Sequence, residues 1–161
     1  MICKLYKVTS FCYDKFTFIK EVSIMTKEQL ASLAKDAMEM AYIPYSGYKV
    51  GAALLCKDGS VYTGCNVENA SFSVTNCAER TAFFKAVSEG KREFSAIAIC
   101  GGKGGALEGL FPPCGVCRQV MREFCEDDFE IHMFTKEGIE TYTLSQLLPM
   151  SFQPDTIRKD D

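Results

Sequence analysis

Several features that would place this chain in a broad class are missing from its sequence. No apolar run approaches the roughly 20 residues of a membrane-spanning helix, so we expect no membrane-embedded segment. There is no surplus of basic residues, because 18 lysines and arginines stand against 21 aspartates and glutamates. This balance disfavours a nucleic-acid partner. The first residues show no secretory signal, because Lys4, Lys7 and Asp14 interrupt any apolar stretch.

Cysteine, in contrast, is abundant. The 161-residue chain has nine cysteines, an odd number that cannot all pair within one molecule. This count predicts a reducing, cytoplasmic setting in which cysteines are buried as small apolar residues or bind a metal. The length suits one domain. We therefore expect a single domain over residues 26–161, preceded by an N-terminal extension of unknown role over residues 1–25.

Periodicity and turn signals predict a chain in which helices and strands alternate. Thr26 and Gln29 form a capping box ahead of an apolar helical face. Asp58 and Gly59 mark a hairpin between two strand-like segments. The remaining patterns give the order α-β-β-α-β-α-β-β-α, which predicts an α/β sandwich around one mixed sheet.

The segment "FPPCGVCRQV" carries a Cys-x-x-Cys pair, Cys114 and Cys117, at a predicted helix start. Haem attachment is excluded, because Arg118 and not histidine follows the second cysteine. Two thiolates do not complete a zinc site, which needs at least three protein ligands. The single histidine, His132, lies in an apolar strand pattern that is more typical of a structural residue than of a ligand.

Cys77, in "TNCAERTAFF", is the better candidate for a third ligand. It also stands at a predicted helix start, where the positive end of the helix dipole lowers the pKa of a thiol. Two helices could therefore bring three thiolates to one zinc ion. Three protein ligands leave the fourth position open, which is typical of catalytic zinc. Water in that position becomes acidic enough to act near neutral pH.

Two charged residues beside Cys77 complete this predicted site. Three thiolates exceed the charge of the metal by one, and Arg80, one helical turn after Cys77, can offset the excess. Glu79 is the predicted proton carrier. Residues two apart on a regular helix do not face the same way. We therefore expect Cys77 at the very first helical position, with Glu79 curling back toward it.

Two other functions fit parts of this pattern. A thioredoxin-like redox pair at the Cys-x-x-Cys motif would leave Cys77 and Glu79 unexplained. A structural zinc closed by a fourth cysteine, Cys65 or Cys100, would make the chain a binding module instead of an enzyme. A metal titration with a thiol count separates these possibilities, since only catalytic zinc uses three cysteines and leaves a water.

Longer segments of the sequence resemble a known protein family, and this resemblance reduces the number of functions to consider. "CAE" followed by "PCGVC" resembles the zinc nucleoside deaminases. "PYSGYKVGAALL", "GCNVENASF", "NCAERTA", "PPCGVCRQV" and "LLPMSF" are similar to the small cytidine deaminases, the homotetrameric type with three-cysteine zinc sites. The resemblance covers roughly Thr26 to Phe152 in matching order. It implies a three-layer α-β-α sandwich around one mixed five-stranded sheet.

The resemblance also implies roles for single residues. Zn²⁺ would be bound by Cys77, Cys114 and Cys117. Glu79 would shuttle protons, and Arg80 would compensate charge. The implied substrate contacts are Tyr48 on the base, Asn66 and Glu68 on the ribose, the Ala78 N–H on the pyrimidine carbonyl, the Pro112 carbonyl on the exocyclic amine, and Phe152 in a neighbouring subunit's site.

Three positions depart from the usual pattern of the family. Tyr48 stands where phenylalanine is usual, and its hydroxyl needs a partner. Phe72 stands where tyrosine is common, and Pro112 replaces serine or threonine but keeps the backbone carbonyl. These departures bear on substrate and subunit contacts, and none touches the metal ligands or Glu79.

The implied activity is zinc-dependent hydrolytic deamination of cytidine and deoxycytidine to uridine and deoxyuridine, with release of ammonia, in pyrimidine salvage. The alternative is deamination of another aminopyrimidine nucleoside, such as a nucleoside antibiotic. Asn66 and Glu68 favour a ribose-bearing substrate. The expected partners are a small nucleoside and further copies of this chain in a homotetramer, with no nucleic acid and no membrane.

Overall fold

The computed structural model describes residues 25–157. The predicted N-terminal extension therefore lies almost entirely outside the described residues. No helix between residues 25 and 157 is long and apolar enough to cross a bilayer. The regular elements are α1 (Lys27–Met38), β1 (Tyr48–Cys56), β2 (Val61–Cys65), α2 (Ala78–Ser88), β3 (Phe94–Lys103), α3 (Gly115–Phe124), β4 (Glu130–Thr135), β5 (Gly138–Thr143) and α4 (Leu144–Leu147). This is the order that the sequence predicted.

The five strands form one mixed sheet in the order β2-β1-β3-β4-β5. β1 pairs antiparallel with β2 and with β3, and β4 pairs antiparallel with β5. β3 and β4 are parallel, and α3 makes the crossover between them. A parallel pair needs such a connection, so this crossover places the start of α3 at the end of β3.

The helices cover both faces of the sheet, and each face has its own core. On one face α1 packs against small residues of β1 and β3, with Leu30, Met38 and Ala98 fully or almost fully buried. On the other face α2, α3 and α4 enclose a larger core that includes Phe83 and Met121. The predicted three-layer sandwich is therefore confirmed.

Local signals fix the ends of two elements. The Thr26 hydroxyl accepts from the Gln29 N–H, and the Gln29 side chain accepts from the Thr26 N–H, so the predicted capping box starts α1. At the β1–β2 turn Gly59 has φ +85°, a left-handed conformation that glycine adopts without strain. The predicted hairpin is thus confirmed.

Two glycines allow helices to rest directly on strand backbone. A Cβ atom on Gly51 of β1 would lie 2.0 Å from the Ala34 carbonyl oxygen of α1. A Cβ atom on Gly64 of β2 would lie 2.5 Å from the Ala78 carbonyl oxygen of α2. Both contacts are far closer than atoms can approach. The absence of a side chain at Gly64 therefore sets how deeply the start of α2 sits against the sheet.

His132 has the structural role that its strand pattern suggested. Its ring is buried on β4, where Nδ1 lies 2.9 Å from the Thr141 hydroxyl. Nε2 lies 3.5 Å from a Glu130 carboxylate oxygen. Burial lowers the pKa of His132 below its ordinary value. The contact with Thr141 joins β4 to β5, whereas Glu130 belongs to β4 itself.

Replacing Gly51 with alanine should destabilise the protein by about 3 kcal/mol, the upper part of the range for overpacking, because α1 must move off the sheet. Gly109→Ala is the matched control, since a Cβ atom there meets nothing within 4 Å. Urea unfolding measures both free energies of unfolding. A Gly51→Ala protein as stable as Gly109→Ala would contradict the close packing described here.

Candidate active site

The N-termini of α2 and α3 bring three thiols together. Cys77 is the N-cap residue of α2, Cys114 is the N-cap residue of α3, and Cys117 lies in the first turn of α3. The three sulfur atoms all lie within 4.8 Å of one another. The Cys77 and Cys114 sulfurs are 3.9 Å apart, and the Cys114 and Cys117 sulfurs are 3.5 Å apart.

These distances match one tetrahedral metal site. Metal–sulfur bonds of about 2.3 Å in a tetrahedron place neighbouring sulfurs roughly 3.8 Å apart. Within residues 25–157 the cluster contains no fourth cysteine, histidine or carboxylate ligand. Cys100 lies on the other side of the sheet, in the core beneath α1, with its sulfur 4.0 Å from that of Met38. Burial raises the pKa of Cys65, and raises that of Cys100 to about 11, so both favour the neutral thiol.

The helix start differs by one residue from the sequence prediction. Cys77 was expected at the first helical position, but it is the N-cap, with φ -77° and ψ 156°, and Ala78 is the first helical residue. The extended backbone at Cys77 changes the direction of the chain just before the helix. Because of this change, Cys77 and Glu79 both face the site although they are only two residues apart.

One positively charged group, the Arg80 guanidinium, lies beside the Cys77 sulfur. The Arg80 Nη2 lies 3.6 Å from it and also donates to the Thr75 carbonyl at 3.0 Å. A hydrogen bond from the Cys117 thiol and the nearby guanidinium lower the pKa of Cys77 to about 5. The same hydrogen bond and burial raise the pKa of Cys117. Without a metal, these contacts favour the thiolate form of Cys77, with the Cys117 thiol as its hydrogen-bond donor.

Glu79 is a buried carboxyl group beside the sulfurs. Only 5% of the residue is exposed. Burial raises the pKa of Glu79 to about 7, and the neighbouring Cys77 contributes to the increase. A carboxyl group with a pKa near neutrality can both accept and release a proton at physiological pH.

A cavity of about 170 Å³ opens over Glu79 and two of the sulfurs. Its lining residues are Val50, Asn66, Thr75, Asn76, Cys77, Ala78, Glu79, Phe111, Pro112 and Cys114. Three of the predicted substrate-contact residues, Asn66, Ala78 and Pro112, are among them. A larger depression of about 460 Å³ near Arg92 and Glu93 contains none of the three thiols.

Asn66 and Glu68 both hold backbone of the segment before and within β1. The Asn66 side chain accepts from the Val50 N–H at 2.8 Å and donates to the Tyr48 carbonyl at 2.9 Å. One Glu68 carboxylate oxygen accepts from the N–H groups of Tyr45 and Ser46, at 2.9 and 3.1 Å. These two residues therefore shape the loop beside the cavity, in addition to any contact with a ligand.

The aromatic residues divide into two groups. The Tyr48 ring is partly exposed and lies 6.2 Å from the ring of Phe111, tilted by 44°. Phe152 is 58% exposed and does not line the cavity of its own chain.

Phe111 is a residue of the site that the sequence analysis did not predict. It lines the cavity and packs on Gly101 of β3, where a Cβ atom would lie 2.6 Å from its ring. Its position directly before the two prolines was the available signal.

Comparison with known proteins agrees with this geometry. Residues 24–133 match the model of the cytidine and deoxycytidylate deaminase zinc-binding region. A cytidine deaminase from Sporosarcina psychrophila is 48% identical over 134 residues, covering 83% of this chain and 96% of the relative. One from Halalkalibacterium halodurans is 50% identical over 129 residues, covering 80% and 95%.

Solved structures give the same result. The crystal structure of cytidine deaminase from Burkholderia pseudomallei has a TM-score of 0.73 and 46% sequence identity, covering 80% of this chain and 100% of that one. The crystal structure of cytidine deaminase from Mycobacterium tuberculosis has a TM-score of 0.65 and 38% identity, covering 78% and 95%. With its three converging thiols, its buried glutamate and these similarities, the chain belongs to the cytidine deaminase family.

Proposed function

We propose that the chain catalyses the hydrolytic deamination of cytidine and deoxycytidine, which yields uridine or deoxyuridine and ammonia. The observation that carries this proposal is the shared cavity in which the Glu79 carboxyl group faces the thiol cluster. The relatives named above are cytidine deaminases that match over most of this chain. This reaction would serve pyrimidine salvage.

Zinc fits the residues that the structure brings together. Cys77, Cys114 and Cys117 would hold the ion, because their sulfur spacing suits tetrahedral coordination and thiolates are preferred zinc ligands. Arg80 would offset the excess negative charge through its contact with the Cys77 sulfur. When bound, zinc supplies a Lewis acid that makes water nucleophilic near neutral pH.

Glu79 would carry the protons of the reaction. It would accept a proton from the attacking water and pass it to N3 of the pyrimidine as the oxygen adds to C4. It would then take the second proton from the new C4 hydroxyl and deliver it to the amino group, so that the C4–N bond breaks, ammonia leaves and a C4 carbonyl forms. Its burial keeps this exchange away from bulk solvent. The raised pKa of Glu79 suits a group that must act as base and then as acid.

Backbone groups would orient the base. Ala78 is the first residue of α2, so its N–H has no partner within the helix and is free to donate to the pyrimidine carbonyl. Pro112 lines the same cavity, and its carbonyl would accept from the exocyclic amine. Tyr48, whose ring lies 6.2 Å from that of the cavity-lining Phe111, would stack on the base.

Asn66 and Glu68 support a ribose-bearing substrate. Asn66 lines the cavity, and the two backbone N–H groups that Glu68 binds share a single carboxylate oxygen. The alternative, another aminopyrimidine nucleoside such as a nucleoside antibiotic, differs in what these residues must bind. Turnover measured on cytidine, deoxycytidine and their 5′-monophosphates tests the proposed substrates. The two nucleosides are expected to be turned over faster than the monophosphates.

The assembly we propose is a homotetramer whose sites are completed by Phe152 of a neighbouring chain. Exposed apolar side chains near the site and on α2 support it, since patches of this kind mark interfaces. They include Phe72, Val74, Phe84 and Phe152, which are 71%, 63%, 49% and 58% exposed.

The remaining proposals concern the setting of the enzyme. Residues 26–161 would form the deaminase domain. The cysteines in residues 25–157 are all free thiols, which supports a reducing cytoplasmic location. The net charge of -3 supports a small-molecule substrate and not nucleic acid, and we propose no membrane partner.

Glu79→Gln should abolish turnover and leave the fold and the zinc content unchanged, because glutamine keeps the shape of the side chain but cannot carry a proton. One group serving several transfers should lose about 10⁴-fold in kcat, the top of the range for general acid–base catalysis. Glu93→Gln, an exposed carboxylate on another surface, is the control. Turnover of Glu79→Gln close to that of the parent protein would refute its proposed role.

Zinc content should depend on three cysteines and not on others. Cys77→Ser, Cys114→Ser and Cys117→Ser should each lower zinc occupancy, because each removes one of three ligands. Cys65→Ser and Cys100→Ser should retain one zinc per chain, because neither sulfur belongs to the cluster. Metal analysis of the purified, folded variants measures this. Loss of zinc from Cys65→Ser or Cys100→Ser would instead indicate a closed structural site.

Mixing two inactive variants should recover activity if sites are shared between chains. Glu79→Gln chains retain Phe152, and Phe152→Ala chains retain Glu79, so a hybrid assembly contains sites with both residues intact. Turnover of the mixture after joint refolding should exceed the sum of the separate variants.

Met150→Ala is the control for Phe152→Ala, because Met150 is fully exposed in the same segment. When it is measured alone, Met150→Ala should turn over substrate as fast as the parent protein. An active monomer in sedimentation, or a mixture that gains nothing over its components, would rule out shared sites.

A further inference from the structure

Arg118 holds the backbone on both sides of a proposed metal ligand. Its main-chain N–H donates to the Cys114 carbonyl at 3.0 Å, as an ordinary bond of the first helical turn. Its side-chain Nε donates to the Pro113 carbonyl at 2.7 Å. The peptide group before Cys114 and the peptide group after it are therefore both bonded to one residue. Together these bonds limit how the Cys114 sulfur can be displaced.

The same guanidinium reaches the other end of the described chain. Its Nη1 donates to the carbonyl of Leu147, the last residue of α4. The next residue along α3, Gln119, donates from Nε2 to the Phe152 carbonyl at 3.0 Å. Two consecutive residues of α3 thus bind both ends of the segment 147–152, which carries the aromatic side chain proposed to complete a neighbouring site.

The backbone of the segment 147–152 is strained at one residue. Met150 has φ +50°, the one non-glycine residue with positive φ within residues 25–157. A non-glycine residue in this region costs of the order of 1 kcal/mol or more and persists only where its surroundings hold it. The Met150 side chain is fully exposed and cannot supply that restraint. The bonds of Leu147 and Phe152 to α3 flank Met150 on both sides.

We infer that Arg118 is a positioning residue that couples the backbone around Cys114 to the C-terminal segment 147–152. One planar guanidinium with several donors can serve two carbonyls at once, which a lysine ammonium at the end of a flexible chain does poorly. A loss of Arg118 therefore affects both ends, the metal loop and the segment that carries Phe152. The effect on turnover rests on the proposed function, but the effect on structure does not.

The experiment uses two readouts besides activity. The chain has no tryptophan, so Phe152→Trp places a single tryptophan in the C-terminal segment, which can be excited apart from the tyrosines. Its anisotropy, measured without metal or substrate, reports how firmly the segment is held. Cobalt(II) loaded in place of zinc reports the geometry of the thiolate site through its absorption bands.

Arg118→Met should lower the anisotropy of the tryptophan and shift the cobalt bands. It should also lower kcat/KM by about 10- to 100-fold, as is usual when the partner of a metal-site residue is removed. Arg92→Met is the matched control, because Arg92 also donates to two backbone carbonyls, those of Val87 and Lys91, away from the thiols. The control should leave both structural readouts unchanged.

Arg118→Lys keeps the positive charge, and it is the variant that tests the coupling if Arg118→Met does not fold. A change in both structural readouts for Arg118→Lys supports the coupling. A parent value in either readout for the variant that folds, or equal changes in Arg92→Met, would overturn it. A parent protein without deaminase activity would refute the proposed function, while the anisotropy would still test the coupling.

Discussion

The sulfur atoms of Cys77, Cys114 and Cys117 lie within 4.8 Å of one another. Charge repulsion between thiolates at this spacing is the constraint on which the rest of the site depends. Two unit charges 4 Å apart repel by about 4 kcal/mol at an effective dielectric constant of about 20. Three ionised thiols would suffer this repulsion in every pair. A hydrogen bond from the Cys117 thiol and the Arg80 guanidinium lower the pKa of Cys77, while the same hydrogen bond raises the pKa of Cys117. Ionisation of all three requires a cation between them.

The fold supplies the precision that such a site needs. Because Gly64 has no side chain, α2 rests on β2 and its first residues have a fixed height above the sheet. The parallel pairing of β3 and β4 forces a crossover, and that crossover is α3 with its two cysteines. The three clustered thiols therefore come from two helices whose starts are fixed by a glycine contact and by sheet topology. Glu79 lies beside them because it stands two residues after the N-cap residue Cys77.

Much of this arrangement could be predicted from the sequence, and the limits have physical causes. Periodicity, a capping box and a hairpin signal gave the order of elements, because those signals are local. The N-cap position of Cys77 was missed by one residue, because cysteine at an N-cap makes no side-chain cap bond here and leaves no capping signal. The importance of Phe111 depends on its packing against Gly101, a contact that no local pattern encodes. Likewise, the backbone bonds of Asn66 and Glu68 became visible only in three dimensions.

The central claim is that three thiolates of this chain hold one zinc ion and leave one position for water. X-ray absorption at the zinc edge, on protein purified without added metal, tests it most directly. The account predicts about three sulfur neighbours near 2.3 Å and one oxygen neighbour near 2.0 Å. A shell of four sulfurs, or of two sulfurs with several lighter atoms, would contradict it.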